Sequence, residues 1–195
     1  MSVIAYHSIF STYGFWLPND PRGSWSEVVR RWDLLKHGAP SKVNTRKSVA
    51  SRRHDSKKRE RAKNAMKHEP IVFTGKQAQL VGSAFRTYTT KSQIPVFACA
   101  ILPNHVHMVI GCHHNDVRQT IGRLKQVATI ALRKHEDEKN AMQTISPWAQ
   151  RSWHVYLSKE RDVLRAIRYV EENPIRAGLK RQRWMIVQSY HTNSD

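Results

Sequence analysis

Two short stretches of the chain carry side chains whose types and spacing can do chemistry. In His105-Val106-His107 the histidines are two residues apart. On a β-strand that spacing sends both imidazoles to one face and the valine to the other. Two neighbouring imidazoles on a rigid strand can hold a divalent metal. Some sixty residues later, Tyr169 and Asn173 stand four apart, with Pro174 next. Helical periodicity puts them on one face, and Asn173, at the helix end, has a side-chain oxygen that can turn toward a ligand. Each stretch also has a plain reading. Eleven histidines in 195 residues give about 0.6 His-x-His matches by chance. Tyr169 can be a core residue and Asn173 a helix stop.

These residues must be carried by particular elements. Residues 3–13, VIAYHSIFSTY, are rich in β-branched and aromatic types and read as a strand. GFWLPNDPRGSWS follows as a Pro- and Gly-punctuated loop, then a short helix within 27–37. Leu80, Val81, Ala84, Phe85 and Tyr88 recur at helical spacing over 75–91. The run VFACAIL, the turn Pro103-Asn104 and the run HVHMVIG predict an antiparallel hairpin. Over 115–134, Val117, Ile121, Leu124, Ala128 and Leu132 share one helical face, with Asn115 as N-cap. WHVYL, 153–157, reads as a short strand. Ser158 then caps a helix, KERDVLRAIRYVEEN, predicted to stop before Pro174. Without that last helix the order is βαββαβ, that of a ferredoxin-like (RRM-like) α+β fold. Its sheet is antiparallel, with the helices on one face.

A chain of 195 residues fits one domain spanning 1–195. Lys and Arg total 33 against 15 Asp and Glu, a net +18. That excess points to a polyanion, nucleic acid first and an anionic membrane surface second. Much of it lies in a polar insertion at about 40–69. Lys42 to Lys67 contains eleven Lys or Arg against Asp55 and Glu60. Such a segment is a solvated insertion, an arm that grips phosphates, or both. No apolar run approaches the ~18 residues of a membrane span. The N-terminus reads as a strand rather than a signal peptide. Two cysteines, Cys99 and Cys112, point to a reducing cytoplasm rather than a disulfide framework.

The segments LPNHVHMVI and RYVEENPIRAGL, with the N-terminal YGFWLPNDPRGSWS, resemble the REP-associated tyrosine transposases, single-tyrosine relatives of the IS200-like transposases within the HUH endonuclease superfamily. The resemblance spans about residues 3–180, and the predicted element order agrees with the family's fold. The insertion at 40–69 is longer than the pattern leads one to expect. The resemblance makes His105 and His107 metal ligands and Asn173 the third, with Mg²⁺ or Mn²⁺ as the cation. It makes Tyr169 the nucleophile that becomes joined to a DNA 5′ phosphate, with strand transfer following. The substrate it implies is single-stranded DNA folded into a hairpin, such as a REP-like palindrome.

Several further residues stand around the predicted site as DNA contacts: Arg118, Arg123, Lys125, Arg165, Arg168, Arg176, Lys180 and Arg181, with Arg183 beside them. Arg165 and Arg168 are candidate helpers for the phenol. Trp148, Trp153 and Trp184 are candidates for stacking on unpaired bases, and Tyr156 is an alternative nucleophile. The expected enzyme is cytoplasmic and nucleoid-associated, not membrane-bound, and works as a monomer or a homodimer. Two rivals stand beside it: a non-catalytic nucleic-acid-binding module on the same fold, and a relaxase or replication-initiator type of HUH nuclease.

Overall fold

The structure, a computed structural model, describes residues 2–24, 26–44, 52–135 and 145–191. Its elements are β1 (Ala5–Thr12), α1 (Trp32–Leu35), α2 (Ser56–Asn64), α3 (Gly75–Lys91), β2 (Val96–Ile101), β3 (His105–Gly111), α4 (Val117–Arg133), β4 (Trp148–Leu157) and α5 (Glu160–Arg176). The chain divides into two compact units, one of residues 1–11 with 72–195 and one of residues 12–71.

The larger unit holds the four strands in the order β2-β3-β1-β4. β3 runs antiparallel to both β1 and β2. The β2–β3 hairpin is closed by Leu102, whose N–H donates to the carbonyl of His105 at 2.8 Å. This α+β class with an antiparallel sheet is the one the sequence leads to.

Strand alternation sorts the β3 side chains into two sets. Val106, Met108 and Ile110 lie opposite Phe10, Ser8 and Tyr6 of β1, so these six share one face. On that face Phe10 meets Phe85 of α3 and Trp148, with ring centroids 6.0 and 5.4 Å apart. Phe73 meets Trp148 at 5.2 Å. α3 and α4 pack together beside this aromatic cluster. Thr74 starts α3 with a capping box: its hydroxyl accepts from Gln77 N–H at 3.2 Å, and the Gln77 side chain accepts from Thr74 N–H at 2.8 Å.

The other face carries His105, His107 and Val109, and α5 covers it. Val163, Ala166 and Val170 recur at helical spacing and pack with Ala5, Ala98, Ala100, Leu102, Val109 and Leu157. Small side chains at positions 5, 98 and 100 leave room for a helix to approach the sheet closely. Each fully buried valine in this interface contributes about 1.5–3 kcal/mol.

Several boundaries differ from expectation. The N-cap of α4 is Asp116, whose carboxylate accepts from Arg118 N–H, rather than Asn115. A carboxylate is favoured there because it meets the positive end of the helix dipole. β4 begins at Trp148, five residues before the predicted start. Ser158 does not cap α5; Lys159 occupies the N-cap with no side-chain bond. α5 also runs through Pro174 to Arg176. Proline removes one donor, but its ring is buried and the Ala177 N–H bonds to the carbonyls of Asn173 and Pro174, so the helix closes beyond it.

In the smaller unit, Leu17, Val29, Leu34 and Ala62 form a small core with Ala65 and Met66 against it. The loop that the resemblance singled out builds this unit from buried polar groups. Arg22 donates to both carboxylate oxygens of Asp20, at 2.8 and 2.7 Å, and its guanidinium lies 3.8 Å over the Trp16 ring. Asn19 donates to the Leu34 carbonyl at 2.8 Å. The expected helix within 27–37 is the single turn α1. The basic insertion contains α2, whose first turn is capped by the Asp55 side chain accepting from Lys58 N–H; its residues 45–51 lie outside the described residues.

Candidate active site

The larger unit brings the two chemically loaded stretches together. β3 places His105 and His107 on the face that α5 covers, and α5 turns Tyr169 toward them. The His107 and Tyr169 ring centroids are 5.6 Å apart, and those of His105 and His107 are 4.9 Å apart. All three side chains belong to one chain. Asn173 is half-buried one helical turn beyond Tyr169, on the same face.

The sequence reading missed a fourth member, His7 of β1. Its ring stacks on His107 at 5.3 Å between centroids and meets Tyr169 edge-on at 5.7 Å. Its Nε2 lies 3.1 Å from His107 Nδ1. Strand alternation over residues 3–13 could have paired His7 with Ala5 and Ile9 on one face. Nothing in the sequence gives the register that sets β1 against β3.

Burial favours the neutral form of His7 and His107. Burial lowers His7 to about 4. Burial first, then the neighbouring His105 and His7, hold His107 well below the usual imidazole value. Neutral rings are the form in which histidine binds metal. His105 Nδ1 lies 2.7 Å from the Asn104 side-chain oxygen, and His107 Nδ1 faces His7. In both rings Nδ1 has a hydrogen-bonding neighbour, as the second nitrogen of a metal-binding histidine does. Among the described residues no three His, Cys, Asp or Glu side chains form a metal-holding group. The donor set expected from the sequence, two imidazoles with one amide oxygen, would suit an ion that keeps water or phosphate in its shell.

The other expected contacts scatter. Arg118, Arg123, Arg165, Arg168, Arg176, Lys180 and Arg181 are exposed. Arg165 pairs with Asp162 at 3.5 Å. The cation over the Tyr169 ring is Arg176, 5.7 Å from its centroid, rather than Arg165 or Arg168. Lys125 turns inward instead of toward a ligand. Its ammonium donates to the carbonyl of Ala149 at 2.8 Å and to those of Gln150 and Arg151 at 3.4 Å. Trp148 is 4 % exposed and belongs to the core, where its Nε1 donates to the Lys125 carbonyl. The Trp184 ring packs against Gly82 of α3; Trp153 is half-buried. Tyr156 meets Tyr6 edge-on at 5.3 Å. Tyr6 lies on the Ile110 side of the sheet, so Tyr156 is away from the histidine pair.

Fold and site together define a class: an α+β protein in which a tyrosine-bearing helix lies over a strand with paired imidazoles. The family described as Transposase IS200 like matches residues 61–173, more than half the chain, and the chain belongs to that family. Its members act on DNA as transposases. Among solved structures, a REP-associated tyrosine transposase bound to a REP hairpin is similar at a TM-score of 0.50 and 13 % identity, covering 92 % of this chain and 72 % of that one. A Deinococcus radiodurans R1 protein assigned as a transposase is similar at 0.46 and 13 %, covering 88 % and 92 %. No curated protein matches the chain. Among the described residues no helix is long and apolar enough to cross a membrane.

Proposed function

We propose that this transposase cleaves and rejoins single-stranded DNA through Tyr169, using one active site assembled from a single chain. The observation that carries this reading is the Tyr169 ring lying against His107, which in turn lies against His105. The Tyr169 oxygen attacks the scissile phosphorus and forms a tyrosine–5′-phosphate bond. The bond to the 3′ oxygen breaks, the phenol proton passes to solvent, and the departing oxygen takes up a proton as a 3′ hydroxyl. Arg176 lies over the ring as a cation–π partner, 5.7 Å from its centroid. His105, His107 and Asn173 would hold a Mg²⁺ or Mn²⁺ ion, which would supply Lewis-acid polarisation of the phosphate. The phosphotyrosine keeps the energy of the broken bond, so a 3′ hydroxyl from another strand reverses the reaction without ATP.

The substrate we assign is DNA bearing a hairpin of the REP-like kind, on the strength of the solved relative that holds such a hairpin. Exposed Arg118, Arg123, Arg168, Lys180 and Arg181 supply candidate phosphate contacts. The test is a denaturing gel of protein incubated with hairpin oligonucleotides and Mn²⁺. Wild-type protein should give a covalent protein–DNA band that Tyr169→Phe does not. An adduct that persists in Tyr169→Phe would reject this nucleophile. Tight hairpin binding with neither adduct nor nicking would make the chain a binding module.

A further inference from the structure

His7 belongs to none of the motifs that mark the site, yet it touches both of its partners. It is 9 % exposed, stacked on His107 and edge-on to Tyr169. Its one close polar contact with the site is the 3.1 Å approach of Nε2 to His107 Nδ1.

That contact has a chemical direction. A neutral imidazole has one N–H and one lone pair, so a nitrogen–nitrogen hydrogen bond needs one ring to donate and the other to accept. When His107 offers its Nε2 lone pair to a cation, its single proton sits on Nδ1, which faces His7 Nε2. His105 meets the same requirement another way, through the Asn104 side-chain oxygen at 2.7 Å, an acceptor only. The two histidines of β3 thus each have a neighbour for Nδ1: one from the preceding residue, the other from the next strand.

We infer that His7 is a positioning residue: it accepts the Nδ1–H of His107, fixing the tautomer and ring plane in which Nε2 binds the metal. This rests on the metal-site reading above. It also explains a buried polar side chain beside a core of alanine, valine and leucine, where a hydrocarbon would fill the space without needing a partner.

The test measures Mn²⁺ binding to the full chain without DNA, by electron paramagnetic resonance of the free ion. His7→Ala should weaken binding by about 10- to 100-fold, the usual effect of removing a hydrogen-bond partner from a metal-ligating histidine. His7→Gln, whose amide oxygen can accept the same proton, should recover most of that affinity. His7→Phe, which keeps the ring and its bulk, should not. Recovery by Phe but not Gln would reduce His7 to packing and overturn the inference, as would unchanged affinity in all three variants. Wild-type protein that takes up no Mn²⁺ would instead defeat the metal reading itself, and this inference with it. Where a variant fails to fold, long-range nitrogen–proton correlation spectra of wild-type protein still decide. A His107 proton on Nδ1 is expected, and one on Nε2 would overturn the assignment.

Discussion

Residue type alone misleads at Lys125 and informs at Tyr169. Both lie on amphipathic helices between apolar positions, and both read as surface chemistry. The Lys125 stem passes over Phe10, and its ammonium, 5.8 Å from that ring, ties three β4 carbonyls to α4. Burial lowers this ammonium from the ordinary 10.5 to about 8. Between those values the unfolded chain keeps a proton that the folded chain has released, so this group makes stability rise with pH across that window. The full difference corresponds to about 1–3 kcal/mol once partial exposure is allowed for. Urea unfolding of wild type and Lys125→Met between pH 8 and 10.5 should show wild type gaining on the variant by that amount. A gap that stays constant with pH would mean the lysine does not titrate there. His7 was hidden for a related reason: one histidine in a strand has no spacing signature, and its partner is a hundred residues away.

The elements differ in how far local sequence defines them. α3 and β3 fall within the limits their periodicity predicts, because capping, helical spacing and strand alternation agree. α5 outruns its prediction because a buried proline can sit in a last turn that closes behind it. Contacts between elements are less legible still. A Cβ at Gly82 of α3 would lie 2.3 Å from the Trp184 ring. That close approach ties the segment after α5 to α3. Gly82→Ala should therefore cost about 1–3 kcal/mol by overpacking and displace the indole. Thermal unfolding with tryptophan fluorescence measures both, and unchanged emission with unchanged stability would show that the ring is not held there.

For the whole molecule, charge is the dominant sequence property, and it is unevenly shared. Residues 12–71 contain fifteen Lys or Arg and six Asp or Glu, half of the net +18. Within α2, Lys57, Lys58, Arg59, Arg61 and Lys63 face a single acid, Glu60. Neutralising a phosphate releases its counterions, so each cation that does so steepens the fall of affinity with salt by about one unit of log–log slope on a duplex stem. Replacing Lys57, Lys58 and Arg61, all exposed, with Gln should weaken hairpin binding and flatten that slope by roughly one unit for each phosphate no longer neutralised. Adduct formation at saturating DNA should remain. An unchanged slope in fluorescence anisotropy titrations would take α2 out of the DNA interface.

By itself the sequence determined the α+β class, the hairpin that presents His105 and His107, the helix that carries Tyr169 and the charge that calls for a polyanion. All of these rest on periodicity and composition, which are local or additive. Only the tertiary structure decided that β1 lies beside β3 so that His7 meets His107. It also decided that Arg176 rather than Arg165 or Arg168 lies over the phenol, that Trp148 and Lys125 turn inward, and that residues 12–71 form a unit of their own. Register, burial and long-range pairing depend on which surfaces close on one another, and no residue's own neighbours in the chain encode that.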